Sequence, residues 1–150
     1  MRYVFLCLLF TTAISCAAQN NALEIVSAQK GNTGFRGRVP KEDINKPNEG
    51  KDFYLIQLKA KKNCTIKVVG LQVHKGDFKA NQLFPVNNEG QTTIKLKKGE
   101  SCELKAELSD KAKESLFKGD YPVGSGRLDL KIGKQTVWLD IVKFEEILPN

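Results

Sequence analysis

Apolar and polar residues alternate with a period of two along most of the chain, which is the pattern of β-strands with one buried face. In the segment 53–59, for example, Tyr54, Ile56 and Leu58 share one side while Gln57 and Lys59 face the other. The same alternation recurs in the segments 23–28, 64–73, 92–98, 102–108, 127–132 and 135–144. The pattern therefore predicts about seven strands.

Turn residues between these segments indicate how consecutive strands connect. In 64–73 the inward phase changes, and Gly70 is the natural position for a bulge. The turn 98–100 predicts a hairpin between 92–98 and 102–108, and Gly133-Lys134 predicts a tight two-residue hairpin. The last strand is apolar on both faces, which is typical of a strand covered on both sides. A cap at 109 or 110 predicts a short helix or turn over 111–118.

Short strands, short turns and little helix favour an all-β fold. We expect one domain over residues 19–150, built as an immunoglobulin-like antiparallel β-sandwich of two sheets. A small β-barrel is the alternative. One stretch, 30–51, is rich in glycine and proline and predicts a long irregular loop that is either mobile or functional.

The first eighteen residues have the three zones of a secretion signal. Arg2 gives a positive start, 4–14 is apolar, and small residues follow. An apolar run of roughly 11 residues is short of the roughly 20 that span a bilayer. The signal peptide is either 1–18, cut after Ala18, or a lipoprotein signal 1–15, cut before Cys16.

This leader predicts an exported protein. With Cys16 lipidated, the domain is tethered through a lipid anchor in the periplasm or at the outer membrane. Otherwise it is secreted. We expect the partner to be an envelope protein or glycan, whose identity the sequence leaves open.

The net charge of the chain does not change the predicted fold or suggest a different class of partner. The formal net charge is +7, but the lysines are spread along the chain. The densest groups, 59–62 and 95–98, fall where strands meet turns, where exposed charge discourages aggregation between sheet edges. Without a binding motif or interleaved aromatic residues, we expect no nucleic-acid partner.

Two cysteines outside the leader remain for chemistry. Cys64 and Cys102 both lie in phase with the inward residues of their strands. In an exported protein they form either a disulfide or two separate buried thiols. Two cysteines and one histidine at scattered positions do not predict a metal site, and no motif predicts another cofactor.

Two segments carry candidate functional side chains. Phe35, Arg36 and Arg38 lie in a run with glycine at every third position, which predicts either a binding loop with an apolar contact and two anion contacts or only a turn-rich loop. His74 and Asp77 could act as base and orienter, but no motif marks a nucleophile. We therefore expect His74 to be a solvent-exposed loop residue.

A resemblance to known proteins is carried by the leader ending at 15–20, the opening 24–31, the strand 53–56, the turn 97–100 and the closing segment 138–144. In these segments the chain resembles small uncharacterised exported proteins and lipoproteins of Bacteroidota, for which no activity is known. The resemblance covers most of the chain and brings no catalytic residues with it.

The sequence leads to three hypotheses about function. The first is a non-catalytic, lipid-anchored envelope protein that binds an unknown partner. The second is a small secreted hydrolase or enzyme inhibitor that uses the loop 31–40 or the segment 74–77. The third is a structural lipoprotein whose anchor and fold are its whole function.

Overall fold

A computed structural model describes residues 22–33, 50–109, 112–116, 119 and 121–147. These residues form ten strands and no helix. None of this part of the chain could cross a membrane as a helix. The strands are β1 Leu23–Asn32, β2 Asp52–Ala60, β3 Cys64–Gly76, β4 Lys79–Leu83, β5 Thr93–Leu96, β6 Ser101–Glu107, β7 Lys113–Leu116, β8 Gly126–Ile132, β9 Gln135–Ile141 and β10 Glu145–Glu146.

The strands form two sheets, which confirms the predicted β-sandwich. The first sheet has the order β10-β1-β2-β6. The second has the order β7-β4-β3-β8-β9, and β5 pairs with the beginning of β3. The pairs are antiparallel except for the short parallel pair of β1 with β10. Since the sheets do not close on each other, the alternative of a barrel is wrong.

The core lies between the two sheets, where alternating inward residues from both faces meet. Its largest fully buried side chains include Ile56, Leu58 and Leu104 from the first sheet and Ile66, Leu71, Leu128 and Leu130 from the second. Fully burying one such side chain is worth roughly 1.5–3 kcal/mol. The core is therefore the main stabilising element of the sandwich.

The long strand β3 contains the bulge that its sequence predicts. Its register against β8 shifts between Val68 and Gly70. Before the shift Ile66 and Val68 face the core, and after it Leu71 and Val73 do. A bulge has this effect because one extra residue reverses the faces of all the residues that follow.

The predicted hairpin of 92–98 with 102–108 is wrong. β5 pairs with β3 in the second sheet, whereas β6 pairs with β2 in the first. The turn between them crosses from one sheet to the other, and Gly99 adopts φ 88° there. Local turn chemistry predicted the reversal of the chain correctly but not the strands with which each arm pairs.

Two further expectations fail near the end of the chain. The last long strand is an edge strand rather than a covered one, and Trp138 on its outer side is 45% exposed. In place of the predicted helix, β7 pairs with β4 and forms the edge of the second sheet. Ala112 N donates to Ser109 O at 2.8 Å, so the capping signal marks a turn.

The predicted loop 30–51 is shorter than expected, because β1 continues to Asn32. The two ends of the intervening segment are held together. Thr33 N donates to Lys51 O at 3.0 Å, and Lys51 N donates to Thr33 Oγ1 at 2.8 Å. The residues 34–49 between these ends lie outside the described part of the chain.

Gly126 provides a test of the packing between the sheets. A Cβ atom there would lie 2.9 Å from both Gln72 O and the Phe144 ring. Since backbone cannot give way, we expect Gly126→Ala to lower the free energy of unfolding by about 1–3 kcal/mol in chemical denaturation. Gly70→Ala is the control, because its Cβ meets chiefly the flexible end of Gln82. Equal losses in the two variants would contradict this account.

Candidate ligand-binding cleft

A cleft opens between the two sheets at the end of the sandwich where β2 begins and β3 ends. Its volume is about 470 Å³, within the usual range of small-molecule sites. An adjoining cavity of about 530 Å³ shares Asp52, Lys75, Asn81 and Leu108 with it. We call the two together the inter-sheet cleft.

The apolar wall of the cleft comes from both sheets and from the C-terminal segment. Val73 in β3, Leu108 after β6 and Phe144 before β10 all line it. Phe144 packs edge-on against Tyr54, with ring centroids 4.9 Å apart and planes at 66°. This geometry suits aromatic rings and holds both in place.

Asn81 is the unusual residue of the cleft. It pairs directly with Val73, so both side chains lie on the inner face of the second sheet. Although Asn81 is only 6% exposed, its side-chain amide has no hydrogen-bond partner among the described residues. The amide atoms themselves are accessible to solvent, because Arg127 Nε is the only side-chain atom of the described residues that is both fully buried and unpaired. The Asn81 amide is therefore available to a ligand or to water.

Tyr54 brings a second neutral polar group to the cleft. The residue is 4% exposed. Burial raises the pKa of Tyr54, the Asp52 carboxylate adds to the rise, and Lys30 opposes it. The phenol consequently remains protonated at neutral pH and can act as a hydrogen-bond donor.

Two ion pairs lie at the cleft, which is also lined by the charged residues Lys51, Lys143 and Glu146. Lys30 Nζ lies 3.1 Å from Asp52 Oδ2, and Lys75 Nζ lies 3.0 Å from Glu114 Oε1. Burial disfavours the charge of Lys30, but the hydrogen bond to Asp52 and nearby carboxylates raise its pKa overall. The hydrogen bond and charge of Lys75 lower the pKa of Glu114. Each of these two pairs compensates its own charge.

His74 contradicts the expectation of an exposed loop residue, since it lies in β3 and is 2% exposed. Because Val73 faces the core after the bulge, the next side chain in the strand, that of His74, lies on the outer face of the second sheet. Its ring stacks on Tyr121 at 4.3 Å, and Nδ1 lies 2.8 Å from Ser125 Oγ. Asp77 occupies an exposed turn with φ 48°, and the carboxylate that acts electrostatically on His74 is that of Asp140.

The contact between His74 and Ser125 has the geometry of a structural link. Ser125 Oγ donates its proton to Pro122 O at 2.7 Å, so the Nδ1 proton of His74 must be the donor to Oγ. A nucleophilic serine instead gives its proton to the histidine. A backbone hydrogen bond joins the same two residues, since His74 N donates to Ser125 O at 2.9 Å. The link fixes 121–125 against β3.

A polar and aromatic cluster covers the outer face of the second sheet beside this link. Arg127 lies over the Trp138 ring at 5.8 Å, and its Nη2 donates to Asp129 Oδ2 at 3.4 Å. Arg127 Nε is 2.9 Å from Asp129 Oδ1 but outside hydrogen-bonding geometry, so that contact is electrostatic. Gln72 also donates to Asp129 Oδ2, at 3.4 Å. These contacts link side chains of neighbouring strands, although Arg127 Nε itself has no hydrogen-bond partner.

The two cysteines lie at the opposite end of the sandwich from the cleft. Cys64 begins β3 and Cys102 lies in β6, so they belong to different sheets, and both pack against the core. Burial raises the pKa of both thiols, and Cys64 raises that of Cys102 further. The thiols are not bonded to each other in this structure. A disulfide formed on export stays a prediction.

Other predicted site residues lie outside the described part of the chain. These are Cys16 and the loop residues Phe35, Arg36 and Arg38. No group of three metal-ligating side chains occurs within the described ranges. Asn81 and Tyr54 were not among the site residues predicted from the sequence. The one signal for Asn81 was its position two residues before the apolar Leu83, which places both on one face of a strand.

Comparisons of the chain with protein-family models, with curated proteins and with solved structures find no match. Only the geometry of the cleft therefore bears on its role.

Because His74 is the only histidine, it gives a specific pH test of the outer-face link. Burial lowers its pKa, Arg127 lowers it further, and Asp140 opposes them. The unfolded chain then binds a proton more readily than the folded one below about pH 6.5, so stability is lost as the pH falls through that region. Chemical denaturation between pH 7.5 and 5 measures this loss. We expect His74→Gln to show a smaller loss than the parent protein, and an equal loss would contradict the assignment.

Proposed function

We propose that this protein is an exported, non-catalytic binding protein of the cell envelope and that the inter-sheet cleft is its ligand site. The observation that carries the proposal is the Asn81 amide, which has no partner among the described residues and is accessible from a cavity of small-molecule size. Apolar walls with a few polar groups are the usual composition of ligand sites.

The leader supports the proposal that the protein acts in the cell envelope. A short apolar run followed by small residues is a signal for export, and Cys16 lies where a lipoprotein signal would end. Lipidation there would tether the sandwich to the membrane and leave the cleft facing the envelope space. The resemblance to exported proteins of Bacteroidota agrees with this arrangement.

Filling the cleft tests whether it is the site. Leu108 lines both cavities, and we expect Leu108→Trp to occupy their volume and weaken ligand binding at least about tenfold. The ligand is found by native mass spectrometry of the mature protein after incubation with envelope extract, and its affinity is then measured by calorimetry.

Leu116→Trp is the matched control. Leu116 is 82% exposed on the edge strand β7 and lines neither cavity. We expect it to bind like the parent protein. Retention of full binding by Leu108→Trp, or failure of the parent protein to bind any envelope compound, would contradict the proposal.

The processing of the leader is tested separately by intact-mass analysis of membrane and soluble fractions. We expect the membrane fraction to begin at Cys16 and to carry the mass of attached acyl chains, and Cys16→Ser to abolish that species. A protein found only in the soluble fraction and beginning at residue 19 would contradict lipidation. In the same spectra, a gain of two hydrogen atoms on reduction would show that Cys64 and Cys102 are bridged.

A further inference from the structure

We propose that the protein forms a two-fold symmetric dimer in which the edge strand β9 pairs antiparallel with β9 of a second copy. The second sheets of the two copies would then continue into each other as one sheet. This inference does not depend on the proposed function, because no residue of β9 lines the inter-sheet cleft.

The outer edge of β9 has backbone groups without partners. Gln135 lies directly opposite Ile132 across a two-residue turn, so its N–H and C=O groups point toward β8. Alternate residues point the other way, so the backbone groups of Thr136, Trp138 and Asp140 face the open edge. No strand or loop among the described residues forms backbone hydrogen bonds with them there. Such an edge is a template for a further strand.

The other outer strands in the described part of the chain are short or covered. The strands β5, β7 and β10 have four, four and two residues. The strand β6 has seven, but Lys105 on its outer side is bonded in both directions to the backbone of Val86. The strand β9 also has seven residues, with no proline, no register shift against β8 and one charged side chain, that of Asp140. It therefore lacks the usual devices that keep an edge from pairing.

The side chains of β9 suit a strand that has neighbours on both sides. Val137 and Ile141 are buried in the core, while Trp138 on the other face and Val142 just after the strand are exposed. This apolar character on both faces predicted a covered strand, yet a single chain leaves β9 at the edge. A second copy would give β9 its missing neighbour and cover part of the Trp138 ring, and aromatic side chains are enriched in interfaces.

Pairing centred on Trp138 makes the edge complementary to itself. With Trp138 opposite its own copy, Thr136 lies opposite Asp140 of the second copy, and these residues exchange their outward backbone hydrogen bonds. Asp140 is then diagonal to Lys134 of the second copy, a spacing of roughly 7–8 Å that a lysine side chain can span. A register that places Asp140 opposite itself would oppose like charges and is disfavoured. The contact is isologous and closes with two copies.

The size of the contact sets the expected affinity. One pair of strands buries less than the roughly 1,200 Å² at which stable interfaces begin. We therefore expect a weak dimer, with a dissociation constant below about 0.5 mM.

Sedimentation equilibrium of the mature protein, residues 19–150, measures this constant. A reductant in the buffer excludes intermolecular disulfides through Cys64 or Cys102. Trp138 is the only tryptophan, so its fluorescence reports on this surface alone. We expect its emission to shift to shorter wavelength, and its quenching by acrylamide to fall, over the concentration range in which the dimer forms.

A proline substitution tests the role of the backbone edge. Thr136→Pro removes an outward N–H group and leaves the hydrogen bonds to β8 in place, as edge strands tolerate. We expect it to weaken the dimer at least about tenfold. Thr136→Val is the matched control, because it keeps the backbone N–H group and should dimerise like the parent protein. Thermal unfolding shows whether each variant is folded.

A charge exchange between two copies tests the register, and it also serves if the proline variant does not fold. Asp140→Lys and Lys134→Asp each bring like charges together in their own dimer, and we expect each to weaken it at least about fivefold. An equimolar mixture of the two variants places opposite charges at both diagonal contacts. We expect the mixture to associate like the parent protein. Lys113→Asp, on the far edge strand β7, is the control and should have no effect.

Four outcomes would overturn the inference. A protein that remains a monomer up to about 1 mM has no such dimer, even if its β9 edge accepts a strand from another protein. Association without a change in Trp138 fluorescence, or unchanged in a folded Thr136→Pro variant, would use another surface. A mixture of the two charge variants that associates no better than each alone would exclude the pairing centred on Trp138.

Discussion

The bulge in β3 is the constraint on which the rest of the structure depends. One extra residue between Val68 and Gly70 reverses the faces of everything that follows in the strand. Val73, and with it Asn81 across the strand pair, consequently faces the other sheet, while His74 faces Ser125 and Tyr121. Without the shift, the imidazole would enter the space between the sheets and the valine would face outward. The cleft and the outer-face link are thus two consequences of one change in register.

The sequence predicts features that depend on neighbouring residues better than features that depend on contacts distant along the chain. The predicted strand segments and the bulge at Gly70 depend on local alternation, and the structure has a strand in each of those segments and the bulge in β3. The strands β4, β7 and β10 were not predicted. Pairing partners depend on contacts distant in sequence. The segment 92–98 therefore looked like one arm of a hairpin, although β5 joins β3 and β6 joins β2. The strand β4 lacks a clear period, because Ala80 on its outer face is as buried as Leu83 on its inner face.

The candidate site was harder to predict than the fold because its members have ordinary local sequences. Asn81 gains meaning only from its pairing with Val73, and His74 becomes buried only because 121–125 folds over it. A histidine beside a glycine and an aspartate has the local pattern of a loop, and only the tertiary structure overrides it. Similarly, Trp138 and Phe144 belong to one apolar run, yet the chain turns after β9, so that the first is half-exposed and the second is buried.

The two ends of the sandwich differ in a way that fits a binding protein. At the end with the cysteines, the turn between β5 and β6 is bonded to β2, since Ala60 N donates to Glu100 O and Gly99 N donates to Ala60 O. Lys98 N also donates to Asn63 Oδ1 at 2.8 Å, which fastens the same turn to the start of β3. These bonds close that end with backbone groups and the Asn63 side chain. At the cleft end neither ion pair bridges the sheets, because Lys30 and Asp52 both lie in the first sheet while Lys75 and Glu114 both lie in the second. The contact of Tyr54 with Phe144 ties the segment between β9 and β10 to the first sheet there. A sandwich whose sheets are fastened at one end can remain open at the other end without losing its core. A ligand that forms hydrogen bonds with the Asn81 amide would add at the open end a contact that the chain itself does not make.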